Sequence, residues 1–241
     1  MRAMITAQPT PQIKLIQKEY AYLVGALSSD GVVAGFTKPA IEGDPGREMH
    51  KALSFLDKKF DLAYMKQVHG SDVQKIKEPG VYTCDGIFTD VKGLTLVVRT
   101  ADCLPLVFYS RKENAAGVVH MGWRSARDGI LENIPYDLSS FKVIAGVGMR
   151  RCCYEVGSEF LDYTVMKPYI QARNNKYYFD APAFARKTLM SKGLKEENFL
   201  DVDICSYCSD QKFFSHRKTA TPNRTLSFIL LLNNVTRLSL T

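Results

Sequence analysis

The chain has 241 residues, 46% of them hydrophobic, 24% charged and 11% aromatic, with 32 Lys+Arg against 25 Asp+Glu for a formal charge of +7. That length can bury a sizeable core, and the composition excludes a disordered polymer, a fibre and a coiled coil. The longest apolar run, Leu226 to Leu232, is broken by Ser227 and falls far short of the about 20 residues a membrane span needs. The opening residues lack a continuous apolar stretch, so no secretory signal is expected, and six cysteines then read as reduced thiols or metal ligands of a cytoplasmic protein. The basic residues come in pairs such as Lys58-Lys59 and Arg150-Arg151 without a recognition motif, which points away from nucleic acid and toward mild steering of a small anion.

In chain order, residues 1–15, with Pro9 and Pro11, are expected to form a loose arm. Asp44 as N-cap, Pro45 at the first helical position and apolar Met49, Leu53 and Leu56 predict a helix. Residues 62–68, 85–89, 94–100, 104–110, 115–120 and 142–148 are short β-branched or aromatic runs bounded by Gly, Pro or polar residues, and read as buried strands. Helices are expected over 158–166 and 181–192, and further strands over 199–205, 212–216 and 225–232. Because strands follow strands so often, the chain reads as one α+β domain of mixed sheets with helices packed outside.

Several motifs are absent. Gly146-Val147-Gly148 lacks the third glycine of a dinucleotide loop, and neither a P-loop nor a nucleophile elbow occurs. Cys205-Ser206-Tyr207-Cys208 is a C-x-x-C, but no second pair has zinc-ribbon spacing. Cys84, Cys152, Cys153, Cys205 and Cys208 read as structural thiols, the adjacent pair 152–153 being unexplained.

What remains is a set of strand-end residues. His69 ends the run MKQV, Cys103 follows Thr100-Ala101-Asp102, and His120 ends GVV before Met121-Gly122-Trp123-Arg124. Two imidazoles and a thiolate suit zinc, and three protein ligands leave a fourth position open, as a catalytic site requires. Two core histidines beside an ordinary buried thiol are an equally weighted reading on composition.

The strings MKQVHGSDV, CDGIFTDVKGLTLVVRTADCLPLVFY, AAGVVHMGWRSARDGI, CCYEVGSEF and FFSHR, from about Leu62 to Arg217, resemble successive blocks of the YfiH-type laccase-domain family. Its members are variously described as polyphenol oxidases, purine nucleoside phosphorylases and peptidoglycan editing factors. The resemblance implies a single α+β domain of two mixed β-sheets with flanking helices, similar in fold to cysteine-dependent deamidase toxins. It also implies a metal held by His69, Cys103 and His120. Three departures stand out: Ser125 where the family has Gly, Met149 where it has Pro, and Lys38 where it has Arg.

The leading functional expectation, implied by the resemblance, is a zinc enzyme acting on small-molecule nucleosides and phosphate. It would phosphorolyse adenosine, inosine and methylthioadenosine, with adenosine deamination as a companion activity. Phosphate held in line calls for fixed cations, and Lys38, Arg124 and Arg217 are the candidates. Asp102 is a candidate base or orienting group and Trp123 a candidate platform for the base. Two other readings compete. In one, Cys103 is the nucleophile and His120 its base in a hydrolase or amidase acting on a peptidoglycan precursor. In the other, copper replaces zinc for polyphenol oxidation, with Met121 as an axial ligand. Four histidines in total, with no H-x-H pair, cannot furnish a multicopper centre, so copper reads as adventitious substitution. The sequence leaves the oligomeric state open.

Overall fold

In the computed structural model, residues 13–27, 31–39, 44–56 and 59–232 are described, so most of the expected arm lies outside them. The chain opens with antiparallel strands β1 (Leu15–Gln17), β2 (Ala21–Val24) and β3 (Val32–Thr37). Helix α1 (Pro45–Ala52) follows, its Asp44 carboxylate accepting from the N–H groups of Gly46 and Arg47 at 2.9 and 3.2 Å. Next come β4 (Asp61–Met65), β5 (Val73–Lys75), β6 (Gly80–Tyr82) and β7 (Gly86–Thr89). The long buried strands β8 (Leu94–Thr100), β9 (Leu104–Ser110) and β10 (Ala115–Met121) occupy the middle, and the short helix α2 (Trp123–Arg127) follows them. The C-terminal part supplies β11 (Lys142–Ala145), β12 (Glu155–Val156), β13 (Ile170–Arg173), β14 (Lys176–Phe179) and helix α3 (Ala181–Ser191). It ends with β15 (Phe199–Asp201), the one-turn helix α4 (His216–Thr219) and β16 (Thr225–Leu231).

These strands make two large mixed sheets, in the orders β1-β2-β3-β16-β8-β4-β6 and β15-β11-β9-β10-β7-β5, and a small antiparallel sheet β12-β14-β13. Period-two alternation explains how the large sheets stack. Leu94, Leu96 and Val98 of β8 meet Val107 and Tyr109 of β9 and Ala116 and Val118 of β10 in one buried cluster between the sheets. Leu106, Phe108, Val119 and Met121 point the other way, into a core closed by Ile130–Leu138 and by Phe184, Ala185 and Leu189 of α3. On the outer face of the first sheet, Met49 of α1 and Leu53 at its C-cap pack on Val97 and Phe228. Burying each of those two side chains contributes about 1.5–3 kcal/mol. The layers are therefore helix, sheet, sheet, helix.

Two expected elements differ. Residues 158–166 form only a 3-10 turn over Ser158–Leu161, because β-branched Thr164 and Val165 and then Pro168 do not continue a helix. Residues 212–216 form no strand: Lys212 has φ 54, and Phe213 is buried against Phe36 and Val147 as a side-chain anchor. Its aromatic signal came from packing and not from pairing. No described helix is long and apolar enough to cross a membrane.

Candidate metal centre

Two of the three connections that carry the chain from the first large sheet to the second bring candidate ligands to the same edge. One joins β4 to β5 and carries His69; the other joins β8 to β9 through Ala101-Asp102-Cys103. On β10, His120 shares its face with Ala116 and Val118, so it points between the sheets at that edge. The three ligand atoms lie within 4.8 Å of one another, and the imidazole rings stand 4.8 Å apart at 80°. Zinc bonds of about 2.0–2.3 Å at tetrahedral angles place donors about 3.3–3.8 Å apart, so closure needs side-chain movements of about an ångström.

The backbone is bent to achieve this. His69 has φ 60 and Asp102 φ 96, conformations that cost non-glycine residues roughly 1–3 kcal/mol each. Gly122 passes so close that a Cβ there would stand 3.2 Å from both Cys103 Sγ and His69 Cδ2. Ser125, one of the departures, is explained locally. Its hydroxyl accepts from the Gly122 N–H at 2.9 Å and donates to the Gly122 carbonyl at 3.0 Å, closing the first turn of α2. Met149 is buried in the core, with its N–H donating to the Asp102 carbonyl at 2.7 Å.

Asp85 organises the site, and its role was not read from the sequence. It is fully buried, and its Oδ1 lies 2.8 Å from His120 Nδ1. The same carboxylate accepts the N–H groups of Val68, His69 and Gly70 at 3.2, 3.0 and 2.7 Å. Burial opposes its charge, but the His120 hydrogen bond and the Gly70 and Val68 N–H groups hold the carboxyl below its usual range. An ionised carboxylate only accepts, so His120 carries its proton on Nδ1 and leaves Nε2 for the site. One buried charge thereby sets the ring of one ligand and the loop of another. Such carboxylate support of a ligating histidine raises its basicity.

The thiol and imidazole respond to each other. Burial disfavours the Cys103 thiolate, yet hydrogen bonds from His120 and His69 bring it down to about 6. Burial likewise disfavours charged His120, but Asp85 and Cys103 push it up to about 9. Each group therefore favours the charged form of the other, and the two titrate as a pair. The donor set fits a soft-to-borderline divalent ion: a preformed thiolate, an oriented imidazole and a second imidazole, open on one side. Met121 does not join them; it faces the opposite core, as the alternation along β10 requires.

The open side faces a cleft of about 610 Å³ that all three candidate ligands line. Five cationic side chains, Lys66, Arg99, Arg124, Arg217 and Arg224, line it against one carboxylate, Asp102. Arg124, Arg217 and Trp123 stand where they were expected. Lys38 does not line the cleft: its ammonium lies 5.4 Å from the centre of the Tyr22 ring. Arg99 and Arg224, which sequence reading missed, take that place. Burial and the neighbouring Arg99 draw Arg224 below the ordinary guanidinium range. Asp102 has both oxygens engaged at 2.8 Å, by the Ser206 hydroxyl and by the Arg217 N–H. It positions α4 and with it Arg217. Trp123 stacks at 15° on Tyr163 and carries the Arg124 guanidinium 4.6 Å from its ring centre. A larger groove of about 1120 Å³ beside α3 has no cysteine or histidine in its lining.

The family described as multi-copper polyphenol oxidoreductase laccase matches residues 44–232, which include every residue of this centre. The chain belongs to the YfiH-type laccase-domain family. Its relatives include a "Purine nucleoside phosphorylase YfiH" of Shigella flexneri, 33% identical over 184 residues, covering 70% of this chain and 73% of that one. A "Purine nucleoside phosphorylase YlmD" of Geobacillus stearothermophilus is 28% identical over 194 residues, covering 68% and 70%. The crystal structure of YlmD from that organism superposes with a TM-score of 0.81 at 24% identity, covering 92% of this chain and all of that one. A Bacillus licheniformis YfiH structure gives 0.79 at 21% identity, covering 90% and 98%. These structures establish the shared fold.

Proposed function

We infer that this chain is a metal-dependent enzyme of purine nucleoside chemistry, cleaving adenosine, inosine and methylthioadenosine with phosphate and also deaminating adenosine. The observation that carries this is the placement of Arg99 and Arg224, two mutually repelling cations, in the cleft that the His69–Cys103–His120 trio lines. Guanidinium groups crowded in this way are stabilised by an anion between them, and their planar forks suit phosphate. The names of the relatives favour the same chemistry.

In phosphorolysis, a phosphate oxygen bonds to the ribose C1′ while the glycosidic bond breaks and the base leaves with its electrons. Arg99, Arg124 and Arg224 hold the phosphate, and Asp102 fixes Arg217 at the cleft wall. Trp123 lines the cleft and seats the Arg124 guanidinium on its ring, so the base would pack on Trp123 only by displacing that cation. His69, Cys103 and His120 would hold zinc, which supplies Lewis acidity for a water nucleophile near neutral pH, as deamination requires. Copper enters only as an adventitious substitute in the same trio.

A second reading has one specific observation behind it. Cys103, His120 and Asp85 form a thiolate–imidazolium–carboxylate series of the kind that serves a cysteine hydrolase. Purified protein incubated with adenosine, with and without phosphate, separates the two. Adenine and ribose 1-phosphate formed only with phosphate, and inosine formed without it, support the first reading. An inert nucleoside, with amide hydrolysis abolished by alkylation of Cys103, refutes it in favour of the second.

A further inference from the structure

Four cysteines outside the cleft form a second cluster. Cys152, Cys153, Cys205 and Cys208 have all their sulfurs within 4.8 Å of one another. They come from two turns 52 to 56 residues apart, which is why linear spacing hid them. Parallel pairing of Gly148 with Cys205 sets the turns side by side, and the Ser206 N–H donates to the Gly148 carbonyl at 3.1 Å. The Cys152 and Cys208 sulfurs are 3.6 Å apart and unbonded.

We propose that these four thiolates hold a second zinc ion in a closed, structural site, separate from the cleft and independent of the reaction proposed for it. Zinc–sulfur bonds of about 2.3 Å at tetrahedral angles place sulfurs about 3.8 Å apart. The 3.6 Å separation already meets that spacing, whereas a disulfide needs about 2 Å. The second pair is a C-x-x-C turn, and the N–H groups of Arg150, Cys208 and Tyr207 all aim at the Cys205 sulfur. Backbone donors converging on a sulfur stabilise it as a thiolate ligand. Arg173 and Lys218 bond the carbonyls of Cys152 and Tyr207 at 2.9 and 3.0 Å, bringing positive charge beside a centre of net charge −2. Four sulfur ligands leave no open position, so the site is structural.

The place of the cluster in the fold gives it a purpose. One turn leads directly into Tyr154, which lines the cleft, and the other presents Ser206 to Asp102. An ion there clamps both walls that hold Asp102 and Arg217 against the metal trio.

The test is elemental analysis of the full-length protein purified under reducing conditions without chelator. Wild type is expected to carry two zinc ions per chain. A Cys152→Ser/Cys208→Ser variant, altered at two exposed positions, is expected to carry one; His69→Ala is expected to retain one. Cobalt chloride added to metal-free His69→Ala protein should develop the absorption of a tetrahedral all-thiolate centre, a readout that needs no cysteine substitution. A single zinc in wild type that His69→Ala abolishes would overturn the proposal. So would iron in place of zinc, or a disulfide among the four residues that persists until reductant is added. A zinc ion retained in His69→Ala with the cleft of the wild type metal-free would support this site while contradicting the cleft reading.

Discussion

Replacing Asp85 with Asn keeps the shape of the side chain and removes its charge and one acceptor. The consequences follow from its four donors. If the amide oxygen faces His120, the amide nitrogen faces the N–H groups of Val68 and Gly70. Two part-exposed donors then lose their acceptor to water, at about 1 kcal/mol or less each. If the amide turns over, His120 moves its proton to Nε2 and closes its ligand atom, and the His69 N–H loses its partner. Either orientation damages a ligand or the loop that carries one. Removing such a support lowers metal affinity about 10- to 100-fold. The assay is competition for zinc against a chromophoric chelator, with a thermal melt of the same sample to establish folding. A folded Asp85→Asn protein whose zinc affinity stays within about two-fold of wild type would refute the reasoning, since the expected loss is at least ten-fold.

Three further outcomes are expected. His69→Ala should keep a cooperative melt, lose the cleft metal and lose adenosine deamination by orders of magnitude; a folded, cleft-metal-free variant deaminating at the wild-type rate would contradict the zinc assignment. Arg224→Ala and Arg99→Ala should each raise the KM for phosphate about ten- to a hundredfold, the equivalent of a charge-assisted hydrogen bond at about 1.5–3 kcal/mol. An unchanged phosphate KM would remove the two arginines from the anion site. In metal-free protein, alkylation of Cys103 followed by peptide mapping should be half-maximal near pH 6. The folded thiol is depressed, so its reactivity persists as pH falls to about 6 and is lost below; a midpoint near the ordinary value of about 8.5 would show that the His120 pairing is absent.

The strands that build the centre were legible because they are long, apolar and punctuated: β8, β9 and β10 fall within a residue of their sequence-read bounds. The three candidate ligands were legible because each sits at a strand end beside small turn residues. Asp85 was not, because an acidic residue before a strand has the same appearance whether it faces water or is sealed beneath a histidine. The early strands β1 to β3 escaped notice, since they are short and their buried faces are completed only by β16, nearly 200 residues later. Arg99 and Arg224 lie on neighbouring antiparallel strands or their ends, and only the pairing of β8 with β16 brings them to one cleft. Lys38 failed for the complementary reason. Its place in a family motif said nothing of the Tyr22 ring that holds its head away.

The central claim, that His69, Cys103 and His120 form a metal centre set by Asp85, is tested most directly by anomalous diffraction at the zinc edge from crystals grown without chelator. A peak about 2.0–2.3 Å from His120 Nε2, Cys103 Sγ and a nitrogen of His69 is the expected result. Density at the trio without anomalous signal, in protein that still converts adenosine, would contradict it.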